Sequence, residues 1–215
     1  MKARLLIAAV LMFFANTSFG QMQTSDHSHQ HHPRGSLTIF GGYTFQDKVS
    51  FSNSYGYIKE AAHWGLSAEF FMDRLRTLEL LYQRMDTHAP LYDGYFGTQL
   101  NHDNDKAGLN YIMIGGVNYI PASPTVMPYG GINLGVCVVT NKEDYTATKF
   151  AIGGKLGVKI KASPVVGIKL QAQLLSVVQG AGGGFYVGTG GSGYGVSTYS
   201  TVLQFGFTGG LSFDF

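Results

Sequence analysis

The feature that most constrains this chain is an alternation of period two that recurs along most of its length. It is plainest at the C-terminal end. There Tyr199, Thr201, Leu203, Phe205, Phe207, Gly209, Leu211, Phe213 and Phe215 fall on one side, and Ser200, Val202, Gln204, Gly206, Thr208, Gly210, Ser212 and Asp214 on the other. Successive side chains of a β-strand point to opposite faces, so this segment is predicted to be a strand with an aromatic face and a polar face. Seven further stretches alternate in the same way, near residues 36–46, 62–73, 75–87, 108–120, 126–139, 150–161 and 165–177, and the last strand is taken as 197–215. Helical spacing is almost absent; even in 60–76, Trp64, Leu66, Ala68, Phe70 and Met72 alternate more cleanly than they repeat at three to four.

The connections between these stretches alternate too. Asp73-Arg74, Pro121 to Pro124 and Ala162 to Pro164 are short and turn-like, whereas the other links are longer, the extreme being the glycine-rich 179–196. Short turns at one end and long loops at the other, with strands of about 10 to 12 residues, are the pattern of a membrane-crossing barrel. The expected fold class is therefore all-β, an eight-stranded antiparallel up-and-down transmembrane β-barrel, with turns and both termini on the periplasmic side. A soluble up-and-down barrel alternates as well. The faces argue against it, because the first, fourth and fifth stretches carry no charge on either side of their central parts, which a water-facing wall would need. Tyr43, Tyr82, Tyr119, Tyr199 and Phe215 are the expected aromatic girdle residues.

The N-terminus sets the compartment. Lys2 and Arg4 precede the apolar run Leu5 to Phe14, and Ser18-Phe19-Gly20 offers small residues before a cleavage site at Gln21, so residues 1–20 read as a secretory signal peptide. The apolar run is far below the roughly 20 residues of a spanning helix. The expected organisation is a signal peptide at 1–20, a His-rich flexible periplasmic segment at 21–35 and a barrel at 36–215. Without Lys2 and Arg4, 13 basic residues face 13 acidic ones, and no positive field is left to attract nucleic acid. Charged residues make up 13 % of the chain, about half the roughly 25 % usual for soluble domains. Cys137 is the one cysteine, so no intramolecular disulfide forms; it reads as a small wall residue.

Eight strands enclose a space just wide enough for side chains. On the phasing above, Glu69, Glu79, Lys159 and Lys169 point inward, each like-charged pair facing across its own hairpin. Like charges directly opposite destabilise a sheet, so the two acids and two bases are expected to meet across the lumen as a salt-bridged plug, completed by Lys155, Gln83, Gln171, Gln173, Asn133 and Tyr129. The alternative is a wet pore with solvated wall charges. Either excludes a wide diffusion porin.

From these residues the chain resembles the small outer-membrane β-barrels, the class of OmpX-like and OmpW-like proteins and the transmembrane domain of OmpA. The resemblance covers 36–215 and rests on the signal peptide, the eight alternating strands and the final strand closing on Leu211, Phe213 and Phe215. It implies the outer membrane of a Gram-negative bacterium, contact with its lipid and lipopolysaccharide, and recognition of the terminal aromatic by the outer-membrane assembly machinery. A peptidoglycan-binding domain is not implied.

Sharper chemistry is thin. His27, His29, His31 and His32 are the best metal candidates, but a polar flexible tail without orienting neighbours accounts for them, and neither metal nor cofactor is expected. Gly188 to Gly193 spells GxGxxG without a following helix, and Asp103 to Gly108 resembles a calcium loop that lacks its bidentate Glu, Ile114 standing there. His63 and Ser67 share a face near the expected outer rim, with no carboxylate placed to orient the imidazole. Three functions stay open. The first is a non-enzymatic barrel whose rim, with Phe51, Tyr55, Tyr57, Tyr92, Tyr95 and Phe96, supports the envelope or binds an external ligand of unknown identity; the second is a narrow OmpW-like passage for small apolar solutes; the third is a lipid A-modifying enzyme.

Overall fold

Alternating β-branched and aromatic residues bounded by Asp, Ser and Pro turns set the strands, and pairing of the first strand with the last closes them into a ring. The computed structural model describes residues 34–50, 54–100, 105–141, 146–178 and 202–215. The barrel strands are β1 (Gly35–Thr44), β4 (Ala61–Phe71), β5 (Arg76–His88), β7 (Lys106–Tyr119), β8 (Val126–Asn141), β9 (Thr146–Lys161), β10 (Val166–Val178) and β11 (Val202–Asp214). Each pairs antiparallel with its chain neighbour in the ring, and β1 closes on β11 with Ser36 opposite Asp214 and Thr44 opposite Gly206. The fold is a closed eight-stranded antiparallel barrel. The signal-peptide assignment, the His-rich segment up to residue 33, Phe51, Tyr199 and the GxGxxG stretch lie outside the described residues, as do residues 103 and 104 of the Asp103 segment.

Three short strands were not legible as such. β2 (Asp47–Ser50), β3 (Ser54–Ile58) and β6 (Leu91–Asp93) form a separate sheet in the order β2-β3-β6, built from the connections after β1 and β5. Their runs are too short to show a period, and their pairing joins segments distant in sequence, Tyr55 lying opposite Tyr92. The sheet is tied to the loop end of the barrel: Lys59 N–H donates to the His88 carbonyl at 2.9 Å, and Leu203 N–H donates to Asp47 Oδ2 at 2.7 Å.

Leu37, Ile39, Leu66, Leu80, Ile112, Ile114, Leu134, Leu156, Leu170, Phe205 and Leu211 all point out of the ring and are exposed. Lys169 and Gln204, the neighbours of two of them, are buried within it. β7 overturns the girdle expectation for Tyr119. Its richer apolar side, Leu109, Tyr111, Met113, Val117 and Tyr119, points inward, and Ile112 and Ile114 point out. Both of its faces are apolar, so alternation could not choose between them. Register does, because residues directly opposite share a face: Tyr111 lies opposite Gln83 and Gly115 opposite Glu79. Tyr119 is thus a lumen residue and not a girdle residue, and it stacks on Phe71 and tilts against Tyr129. At the loop end of the outer wall, Tyr43, Phe45, Phe205 and Phe207 make a contiguous aromatic group, with Phe45 stacked on Phe205 at 5.9 Å.

Candidate functional site

The lumen is polar toward the turns and partly apolar toward the loops. In the turn-side half Glu69 lies opposite Glu79 on β4 and β5, and Lys169 opposite Lys159 on β10 and β9. Each like-charged pair is relieved by partners reached across the barrel. Glu69 accepts from Lys169, from Tyr119 Oη at 2.7 Å and from Thr77 Oγ1 at 3.1 Å; Glu79 accepts from Lys155 and from Asn133 Nδ2 at 2.7 Å. Lys169 also lies 5.6 and 5.5 Å from the ring centroids of Tyr119 and Tyr129, within cation–π range. Tyr129 in turn donates to Gln171 Oε1 at 2.8 Å.

The pairing differs from the symmetric quartet expected. Lys155, expected as filling, takes Glu79, while Lys159 turns away to Asp214 Oδ1 at 2.5 Å. The geometry explains the choice. A Cβ added at Gly167 would stand 3.1 Å from Lys159 Cε and 2.8 Å from Ser212 Oγ, so the missing side chain at Gly167 is what lets the lysine stem cross to β11. Asp214 was visible as an inward residue of the last strand, but its distance from the other charges in sequence hid the pairing. All six members of the three pairs are buried. A buried charge without a partner is costly, and here each carries one.

Toward the loops the filling is mixed. Met85, Leu109, Tyr111, Met113, Cys137, Ala151, Leu175, Val177 and Val202 form an apolar cluster that includes Val49 of β2, with Ile58 packed against it. The small sheet therefore roofs the barrel with Val49. Cys137 is fully buried in this cluster, as a wall residue would be. Beside the cluster, on β4 directly across from Met85, His63 is buried, its Nδ1 2.9 Å from Thr44 Oγ1 and its Nε2 3.1 Å from Thr208 Oγ1, with Gln173 at 3.5 Å. It points into the lumen as the third residue of β4 from the loop end. Its ring nitrogens meet threonine hydroxyls and neither Ser67 nor a carboxylate, so the pattern of an activated nucleophile is not assembled. Gln173 Nε2 donates to Gln83 Oε1 at 3.0 Å, and Tyr111 Oη to Gln204 Oε1 at 2.6 Å, linking β10 to β5 and β7 to β11 across the lumen.

On the small sheet Tyr55 stacks on Tyr92 at 5.3 Å, Tyr57 meets both edge-on, and Lys48 Nζ sits 4.9 Å from the Tyr55 ring centroid. Tyr95 and Phe96 in the turn after β6 are almost fully exposed. No group of three or more His, Cys, Asp or Glu able to hold a metal occurs among the described residues, and the four N-terminal histidines fall outside them.

The closed ring of eight antiparallel strands has counterparts among solved structures. The chain has the fold of the small outer-membrane β-barrels. Neisserial surface protein A matches with a TM-score of 0.59 at 15 % identity, covering 84 % of this chain and 97 % of that one. The outer membrane protein OprG from Pseudomonas aeruginosa matches at 0.56 and 14 % identity, covering 86 % and 97 %. The outer membrane protein AlkL, solved in lipid bilayers, matches at 0.50 and 9 % identity, covering 90 % and 96 %. No protein-family model and no curated protein matches the chain. The fold class is thus an all-β, antiparallel transmembrane β-barrel.

Proposed function

We propose that this chain is a non-enzymatic integral protein of the outer membrane of a Gram-negative bacterium, exported by a signal peptide cleaved before Gln21, with a closed salt-bridged lumen and a rim that supports the envelope or binds an external ligand. The observation that carries the closed lumen is the combination of three buried ion pairs crossing the turn-side half and Val49 roofing the loop-side half. Between Thr38, Ser67, Glu79 and Lys169 the interior space is about 10 Å³, room for about one water and no solute. The outer wall contacts lipid, with lipopolysaccharide at its loop end. Leu211 and Phe213 on β11 and Phe215 just after it, all exposed, present the alternating apolar ending that the assembly machinery would read. The aromatic sheet of Tyr55, Tyr57 and Tyr92 is the surface offered outward, since recognition tends to sit on what a rigid scaffold displays.

Planar-bilayer recording of the purified protein tests this reading. The expected result is no resolvable stepwise conductance; reproducible single-channel steps from the native chain would overturn the closed lumen. A second reading, passage of small apolar solutes, is favoured by the apolar loop-side filling, and it requires Val49 to leave the cluster around Met85 and Tyr111. Tethering Val49 to that wall would then abolish uptake of an apolar solute.

A further inference from the structure

At the turn end the barrel does not finish flush with its plug. A vestibule of about 610 Å³ opens there, lined by Arg34, Phe71, Asp73, Arg74, Tyr119, Met127, Lys159, Lys161 and Asp214. Its side-chain charges are four positive against two negative. The negative ones are already engaged: Asp214 neutralises Lys159, and Asp73 accepts from the Leu75 and Arg76 N–H groups at 2.8 and 2.9 Å and faces the Arg76 guanidinium at 3.8 Å. Arg34, Arg74 and Lys161 have no ion-pair partner among the described residues. Two of the three are mounted on fixed backbone. Arg34 N–H donates to the Phe215 carbonyl at 2.6 Å and its own carbonyl accepts from Phe71 at 3.1 Å, while Lys161 N–H donates to the Thr125 carbonyl at 2.8 Å.

We propose that this vestibule is a binding site for a phosphate-bearing anion with an apolar neighbour group, Arg34, Arg74 and Lys161 holding the phosphate. Two guanidinium forks and an ammonium surround the space with three separate donors. A phosphate, with several equivalent oxygens, can divide itself among three cations, whereas a carboxylate offers two oxygens and one charge. Phe71 and Met127 supply the apolar wall against which the rest of the ligand lies, with the Tyr119 ring between them and the plug. The ligand is a phospholipid headgroup or a free phosphate ester; both present the same chemistry to the three cations. The site does not depend on whether the lumen conducts.

The test uses the full chain in a phosphate-free maltoside detergent, with Arg34→Gln/Arg74→Gln/Lys161→Gln as the variant and heat-modifiable gel mobility as the folding control. In one arm glycerol phosphate is titrated by calorimetry; in the other, phosphatidylglycerol retained by the protein is counted by native mass spectrometry. Each exposed charge contact is worth a factor of a few, so the triple variant is expected to bind about tenfold more weakly, and native binding should fall steeply with salt. Saturable binding of the soluble ester, lost in the variant, identifies a free phosphate ester as occupant. Retention of the lipid alone, lost in the variant, identifies a headgroup. No binding in either arm, or equal binding by native and variant, overturns the proposal. Arg74→Gln, at an exposed turn tip, gives the same readout with a two- to threefold loss should the triple variant not fold.

Discussion

Replacing Glu79 by Gln separates a dry, plugged lumen from a wet one. The substitution keeps the shape of the side chain and an acceptor for Asn133 Nδ2, and it removes only the charge that Lys155 faces. In the native chain the two side chains are 2 % and 6 % exposed, so water cannot take over the role of the carboxylate. Leaving one member of such a pair uncompensated typically costs about 3 to 5 kcal/mol. The neighbourhood adds to the cost, since with Glu79 neutral, Lys155, Lys159 and Lys169 share Glu69 and Asp214. The measurement is urea unfolding in vesicles, followed by the emission of Trp64, the chain's one tryptophan. Glu79→Leu/Lys155→Met, which removes both charges, is expected to lose less than either single change, because desolvation is relieved along with the attraction. Arg84→Gln serves as control: its pair with Asp86 is 41 % and 66 % exposed and is worth about 0 to 1 kcal/mol. If Glu79→Gln costs no more than Arg84→Gln, the interior charges are solvated and the plugged lumen is refuted.

Trp64 stands on the outer wall, half exposed and edge-on to Tyr82 at 5.9 Å, so brominated acyl chains are expected to quench its emission strongly, with iodide in the water phase having little effect; the reverse pattern would place that wall in water. Gly115 and Gly154 make a matched pair of alanine tests. A Cβ at Gly115 would meet the Ile132 carbonyl oxygen at 2.1 Å and Asn133 Cα at 2.7 Å, whereas one at Gly154 meets nothing within 4 Å. Gly115→Ala is expected to cost about 1 to 3 kcal/mol through backbone displacement, and Gly154→Ala less than about 0.5 kcal/mol, by the same urea assay.

What could be read from the sequence followed the contrast between a strand's two faces. β11 carries Phe205 and Leu211 against Gln204 and Asp214, and β10 carries Leu170 against Lys169; both strands lie as their patterns predict. β7 carries Ile112 against Tyr111, apolar on both sides, and its phase comes only from the register with β5, which no local pattern encodes. The same limit applies to the charges. That Glu69 and Glu79 face one another across a turn follows from equal spacing about Arg74, but which lysine each one meets depends on how far a side chain reaches across the ring. The decisive residue there, Gly167, offers no side chain to draw notice. The small sheet was missed for another reason: Tyr55 and Tyr92 were marked as rim aromatics, but strands of three to five residues carry too few alternations to register as strands.

In the closed-lumen proposal the two halves of the lumen block the barrel by different physics, and this bears on any passage through it. On the turn side, opening a path means parting Lys155 from Glu79 or Lys169 from Glu69, which costs several kcal/mol per pair unless water follows the charges in. On the loop side the barrier is packing: Val49 and Ile58 are held by β2 and β3, a sheet anchored by few bonds to the barrel among the described residues and made of connections rather than wall. Local opening is drawn from the least stable elements, so the roof is the part of this molecule expected to move while the plug stays shut. A solute admitted at the loop end would reach Met85 and Tyr111 and find the polar plug beneath them. An exit through the turn end is then closed to it, and an apolar molecule could leave only sideways through the wall, between strands whose backbone pairing is continuous around the ring. That continuity is the physical reason the closed, rim-active reading stands ahead of passage: a pore here needs both the roof to lift and a strand pair to part.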